Sequence, residues 1–226
     1  GFVVNCSYGN ALRITGDDKY RQPMIDAANL LTTRFNPAVG LIQSWNVSKK
    51  RPWLYPVIID NMMNLELLTQ AHKLGGPDSL LNVAVTHANT TMKNHFRPDY
   101  TTWHVVDYDP ETGDVRMKQT AQGYSDDSAW GRGQAWAVYG YTMMYREVGD
   151  EAYLAQAENI ARMIMKHLPE DGVPYWDFNA PDIPDSYRDA SAGAIIASAF
   201  IELASHTKDA ALSKACMKTA EKQLRT

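Results

Sequence analysis

A tight turn recurs along this chain and leaves few folds open to it. Ile14-Thr15-Gly16-Asp17-Asp18-Lys19-Tyr20, Leu74-Gly75-Gly76-Pro77-Asp78 and Val148-Gly149-Asp150-Glu151-Ala152-Tyr153 share one plan, and His206-Thr207-Lys208-Asp209 is a fourth copy without the glycine. A glycine past the last helical turn takes the left-handed conformation that closes a helix, and an aspartate then caps the next one. Each copy lies between stretches with apolar residues at three- and four-residue steps, such as Met24, Ala27, Ala28, Leu31 and Phe35. The spacing predicts eight helices, over residues 3–14, 17–34, 60–74, 77–95, 126–148, 150–168, 189–206 and 208–225. They pair into four helical hairpins, each about 60 to 70 residues from the next. Stacked hairpins either close into an α/α toroid or extend as a solenoid, and the toroid is the expected all-α architecture.

The longer connections have a different character. Leu41-Ile42-Gln43-Ser44-Trp45, Thr101-Thr102-Trp103-His104-Val105-Val106-Asp107-Tyr108 and Val173-Pro174-Tyr175-Trp176-Asp177-Phe178 each carry a tryptophan among polar residues. The second reads as a short hairpin turning at Asp109-Pro110-Glu111-Thr112-Gly113, where proline presets the turn and glycine closes it. Core packing explains any single tryptophan, Trp53 and Trp130 above all. Three in equivalent loops suggest a platform on which sugar rings stack.

Composition removes several function classes. With 226 residues, 45% hydrophobic and 21% charged, the chain can bury a real core. Lys+Arg 22 against Asp+Glu 26 gives a net charge of −4 with no concentrated basic run, so a nucleic-acid partner is not expected. No apolar stretch reaches the roughly 18 residues of a membrane helix. Cys6 and Cys216 stand alone, which excludes a disulfide scaffold and a thiolate zinc site. Asn-x-Ser/Thr triplets at Asn5, Asn46 and Asn89 arise readily by chance. There is no Gly-rich phosphate loop, Gly-x-Ser-x-Gly elbow or His-Glu-x-x-His.

The residues left to do chemistry are few. Asp60 comes after Pro56-Val57-Ile58-Ile59 and precedes Met62 and Met63 at the start of the third helix. A helix cap accounts for it in isolation. Its dry surroundings raise a carboxyl pKa while the helix dipole lowers it; if desolvation wins, Asp60 can act as a general acid. In Gln122-Gly123-Tyr124-Ser125-Asp126-Asp127-Ser128-Ala129-Trp130-Gly131-Arg132-Gly133-Gln134-Ala135-Trp136, Asp126 or Asp127 is expected to cap the fifth helix. Arg132 and Trp136 then share a helical face. Glycines on both sides of Arg132 cost roughly 1 kcal/mol apiece in a helix, which points to close approach of a ligand or another helix. An arginine on an aromatic face suits forked recognition of a carboxylate, with a surface salt bridge as the plain alternative. His104 stands where it could orient a water or a carboxyl group, and Asp189 in Arg188-Asp189-Ala190-Ser191 reads as a cap.

Ile59-Asp60-Asn61-Met62-Met63-Asn64, His87-Ala88-Asn89-Thr90-Thr91, His104 through Gly113, Gln122 through Ser128, Trp130-Gly131-Arg132-Gly133-Gln134-Ala135-Trp136 and Gly172 through Phe178 together resemble unsaturated glucuronyl hydrolases of glycoside hydrolase family 88. The similarity runs over essentially the whole chain. It implies an (α/α)6 barrel, here represented by about four of six hairpins, with residues 1–226 as a single toroid domain incomplete at both ends. The family's second acidic residue would precede Gly1. The implied reaction is hydration of the C4–C5 double bond of a 4,5-unsaturated glucuronate at the non-reducing end of lyase products, rather than two-carboxylate attack at the anomeric carbon. By match to the family motif, Asp60 would be the acid and then the base. Trp45, His104, Gln122, Arg132 and Trp136 would bind substrate, with Arg132 on the uronate carboxylate. No metal or cofactor is implied, and the partner is an unsaturated uronate-containing oligosaccharide. An unsaturated rhamnogalacturonyl hydrolase, a non-catalytic sugar-binding remnant and a same-fold epimerase with a His-centred site are the alternatives. The sequence leaves location open between the cytoplasm and the periplasm of a bacterium, and no oligomeric state is implied.

Overall fold

In the computed structural model, which describes residues 1–226, the tight turns form as their sequences dictate. Gly16 (φ 68°) and Gly149 (φ 77°) close their helices in the left-handed region. Asp17, Asp150 and Asp209 then cap the next helical segment through N–H donors two or three residues on. Asp78 differs: it is the first residue of its helix, where its charge complements the helix dipole.

The chain forms two compact units, one of residues 1–94 and 107–117, the other of residues 95–106 and 118–226. In the first, α1 (Phe2–Val4) and α2 (Asn10–Thr15) are joined through a π-helical segment, Asn5–Gly9. A 3-10 turn, Asp18–Tyr20, leads into α3 (Arg21–Thr32). Next comes the antiparallel pair β1 (Phe35–Asn36) and β2 (Leu41–Ile42), with Phe35 opposite Ile42. β3 (Pro56–Ile58) runs into a 3-10 segment, Ile59–Asn64, then α4 (Leu65–Lys73) and α5 (Asp78–Asn94). The core of this unit is Met24 and Ala28 of α3, Leu65, Leu68 and Ala71 of α4, and Leu80, Ala84 and Ala88 of α5, all nearly or fully buried.

The expected hairpin is β4 (Val105–Tyr108) and β5 (Val115–Gln119), in a sheet of order β3-β4-β5. At its turn Asp109 accepts from the N–H groups of Glu111 and Thr112, and Gly113 (φ 79°) closes it. In the second unit α6 (Gly131–Val148) packs on α7 (Glu151–His167) and on α8 (Ala190–His206), and α8 on α9 (Ala210–Arg225). Val138, Tyr141, Ile160, Ile164, Ile196 and Phe200 fill the space between them. Taking α1 and α2 as one run, the eight expected helices are all present, and none is long and apolar enough to cross a membrane.

Two expected boundaries are displaced: the third helix, expected from residue 60, is 3-10 over Ile59–Asn64 and α-helical only from Leu65, so Asp60 is not its cap. The fifth helix begins at Gly131, not at residue 126, and neither Asp126 nor Asp127 caps it; Trp130 is at the cap without a side-chain hydrogen bond. The orphan N–H of Gly131 instead donates to the carbonyl of Trp176 at 2.8 Å. Asp126 accepts from the N–H of Thr120 and so closes the turn ahead of the helix.

Candidate active-site residues

In the first unit the segments bearing Trp45 and Asp60 are laced together. Ile42 offers its N–H to His87 Nδ1 (3.0 Å) and its carbonyl to Asn61 Nδ2 (2.7 Å). Two residues on, Ser44 takes the N–H of Ile58 on Oγ and donates its own N–H to Pro56. Trp45 and Asp60 are thus set by one backbone lattice. His87 is wholly buried and its pKa is pushed down to about 3, so it serves as a neutral acceptor. Asp60, 8% exposed, lies in the first turn of the 3-10 segment between fully buried Ile59 and buried Met62. Trp45, half-buried, stacks on buried Trp53 at 5.5 Å and 21°.

A buried carboxylate not singled out in the sequence holds this region from behind. Asp107, with no exposure, accepts from the N–H groups of Leu54 and Tyr55 (2.8 Å each) and is paired with Arg116. These bonds anchor the residues immediately ahead of β3.

In the second unit, two candidates, His104 and Arg132, come together around Trp130. The His104 ring lies 4.4 Å from that of Trp130, and the Arg132 guanidinium 5.4 Å from it on another approach. His104 is buried, which pushes its pKa down to about 4. Its Nδ1 accepts from the N–H groups of Ala121 (3.2 Å) and Gln122 (3.3 Å), so the single proton of the neutral ring resides on Nε2. His104 is therefore a hydrogen-bond donor at neutral pH, not a proton acceptor. Gln122 is exposed on the turn that His104 holds, and Trp136 is one turn along α6 from Arg132, its ring edge-on to Tyr139 at 5.7 Å.

Arg132 is ion-paired, the plainer of the two expectations, but not at random. Its Nε and one terminal nitrogen both donate to Oδ2 of Asp189 (3.0 and 2.9 Å). The other carboxylate oxygen of Asp189 caps α8 through the N–H of Ala192. The guanidinium plane is thereby fixed by the start of a helix, with its remaining nitrogen available to a ligand. The glycine before Arg132 is needed for a different reason than a ligand: a Cβ on Gly131 would collide with the carbonyl oxygen of Tyr175.

Asp177, wholly buried, is the main element that sequence patterns do not reveal. One oxygen accepts from the Tyr124 N–H (2.9 Å) and the Ser128 hydroxyl (2.6 Å), the other from the Asn179 N–H (2.9 Å). It shapes the connection that presents Gln122 and leads into Arg132. Its only sequence signal is an acid flanked by aromatic residues in Tyr175-Trp176-Asp177-Phe178. Trp53 and Trp130 are buried and Trp45, Trp103 and Trp176 half-buried, as expected, but Trp136, expected to meet the sugar, is also buried at 8% exposure. Trp103 is nevertheless engaged, with the Arg97 and Lys118 cations 4.3 and 3.8 Å from its ring, so it is a cation platform.

Comparison with known proteins gives this arrangement its context. The family model described as Glycosyl Hydrolase Family 88 matches residues 3–226. An unsaturated glucuronyl hydrolase of Formosa agariphila is 52% identical over 212 residues, 92% of this chain and 53% of that protein. The crystal structure of an unsaturated glucuronyl hydrolase specific for heparin is similar with TM-score 0.94 and 47% identity, over 99% of this chain and 59% of that one. An unsaturated chondroitin disaccharide hydrolase of Streptococcus pneumoniae is 34% identical over 220 residues, 97% of this chain and 55% of that protein. The chain spans about half the length of these curated relatives, and its hairpins correspond to part of an (α/α)6 barrel. On the match across its whole length, the chain belongs to glycoside hydrolase family 88.

Proposed function

We propose that the protein removes 4,5-unsaturated glucuronic acid from the non-reducing end of lyase-generated oligosaccharides by hydrating the C4–C5 double bond. The names of the relatives supply the substrate class, and Asp60 carries the chemical reading. A carboxyl group held at 8% exposure among Ile59 and Met62 has the dry setting in which a proton can be kept for delivery. Asp60 gives that proton to C4, and the electron pair of the double bond forms the new C4–H bond. Water adds to C5, and its spare proton returns to the Asp60 carboxylate. The product is a hemiketal at C5; its ring opens, C1 becomes a hemiacetal, and the remaining sugar leaves with a proton as an alcohol. One water is consumed and Asp60 ends as it began.

Arg132 is assigned to the uronate carboxylate, because Asp189 orients the guanidinium while leaving a donor nitrogen over. His104, Gln122, Trp136 and Trp45 are assigned to recognition of the sugar on the resemblance of their motifs to those of the family. The test is the ultraviolet absorbance of the double bond in an unsaturated glucuronyl disaccharide. The protein should abolish it, and Asp60→Asn should slow the loss by about 100-fold or more. Absorbance that persists over a panel of lyase products, pectin fragments included, would overturn the reading, as would an unimpaired Asp60→Asn variant.

A further inference from the structure

Resting on that hydrolase reading, we infer that Asn61 and His87 are positioning residues for the proposed acid: together they hold Ile59–Asn64 in its 3-10 winding and so set the direction in which Asp60 points. That winding is not what the local sequence favours. Asn61-Met62-Met63-Asn64 runs without a break into α4, and methionine and leucine are good α-helix formers. Runs of 3-10 helix beyond about four residues are uncommon, and this one covers six. Contacts from elsewhere in the chain hold it. The Asn61 side chain donates from Nδ2 to the Ile42 carbonyl (2.7 Å), and Asn64 Oδ1 accepts from the N–H of Phe2 (2.8 Å).

Ile42 is a fixed point because His87 makes it one. Phe35 faces Ile42 in the antiparallel register, and the Gln43 N–H donates to the Arg34 carbonyl (2.9 Å). The backbone groups of Ile42 therefore turn away from β1. Side chains take both, His87 Nδ1 the N–H (3.0 Å) and Asn61 the carbonyl. His87 is wholly buried on α5, and its Nε2 meets no hydrogen-bond partner from the protein. Burying an imidazole on those terms costs desolvation that a phenyl ring would not, and what the imidazole adds is the acceptor for Ile42. The size of the effect follows from helix geometry. A 3-10 helix turns about 120° per residue and an α-helix about 100°, with rises of about 2.0 and 1.5 Å. Asp60 is five positions ahead of Leu65, the first residue of α4. Rewinding the segment as α-helix would swing Asp60 about 100° around the axis and draw it in by about 2.5 Å. A misplacement of about 1 Å at a reacting group can already cost about 100-fold.

The experiment follows the ultraviolet absorbance of an unsaturated glucuronyl disaccharide with the protein, Asn61→Leu, Asp60→Asn and the double variant, each rate referred to the folded fraction. Asn61→Leu should lower kcat about 100-fold and leave KM within about threefold. Added to Asp60→Asn it should cost nothing further, because it acts through Asp60. His87→Phe should lower kcat likewise, and His87→Asn, whose side-chain oxygen reaches the place of Nδ1, should recover most of it. A crystal structure of Asn61→Leu should show residues 59–64 wound as α-helix. Should that variant not fold, Asn61→Ser, too short to reach Ile42, takes its place in both measurements. Stability lost without loss of kcat, equal slowing of the parent and of Asp60→Asn, or an unchanged 3-10 segment would overturn the positioning role while the hydrolase reading stands. If the protein itself leaves the absorbance of every lyase product unchanged, the hydrolase reading falls and the positioning role falls with it.

Discussion

Among single residues, the aspartates do unlike work according to what surrounds them. Asp189 is 7% exposed and serves two elements, one oxygen capping α8 and the other orienting Arg132. Asp189→Ala removes both bonds, and should lower stability by about 2 kcal/mol in urea unfolding. Asp189→Asn keeps the cap acceptor and should recover about half of that loss. It should still raise KM for an unsaturated glucuronide, because the guanidinium is no longer held; equal KM in Asn variant and parent would show that Arg132 needs no such support. Asp189 is legible as a cap, since an acid before Ala190-Ser191-Ala192-Gly193 has that signature. Its grip on Arg132, 57 positions away, is not legible, because ion-pair choice depends on how α6 and α8 come to lie side by side.

Elements show the same division between local and distant causes. Closing glycines and capping aspartates act within one turn of chain, so the end of α2, both ends of the α6–α7 turn and the start of α9 can be read from residues adjacent to them. The start of α6 cannot, since its first N–H is satisfied by Trp176 from a loop far along the sequence. That backbone contact leaves no space for a side chain. Gly131→Ala, ordinarily favourable in a helix by roughly 1 kcal/mol, should here destabilise by about 1–3 kcal/mol. A thermal melt decides between these signs, and a stabilised variant would mean that the Tyr175–Trp176 segment yields easily. Asp177 belongs to the same account: a buried acid organising residues 124–128 has no local periodicity to announce it.

For the whole molecule, two buried neutral histidines set a dependence on acid. His87 and His104 have pKa values pushed by burial to about 3 and about 4, against 6.5 for the exposed side chain. Between pH 6.5 and about 4 the unfolded chain therefore binds protons that the folded chain does not. Stability should fall as the pH drops through that window, by about 1.4 kcal/mol per pH unit for each histidine. Urea midpoints measured from pH 7 to 4.5 check this: a halved slope would mean that one of the rings is protonated in the folded state, and a flat profile that both are.

The order of amino acids alone is enough to specify the hairpin architecture, the eight helices, the β4–β5 turn and the residue types available for chemistry. Each of those arises from forces acting over a few residues: capping, closure at positive φ, and apolar periodicity. Packing in three dimensions was needed to make His104 a neutral donor, to engage Trp103 with cations, and to orient Arg132 through Asp189. Those properties come from burial and from partners brought in across long stretches of chain, and no pattern within a single segment encodes them.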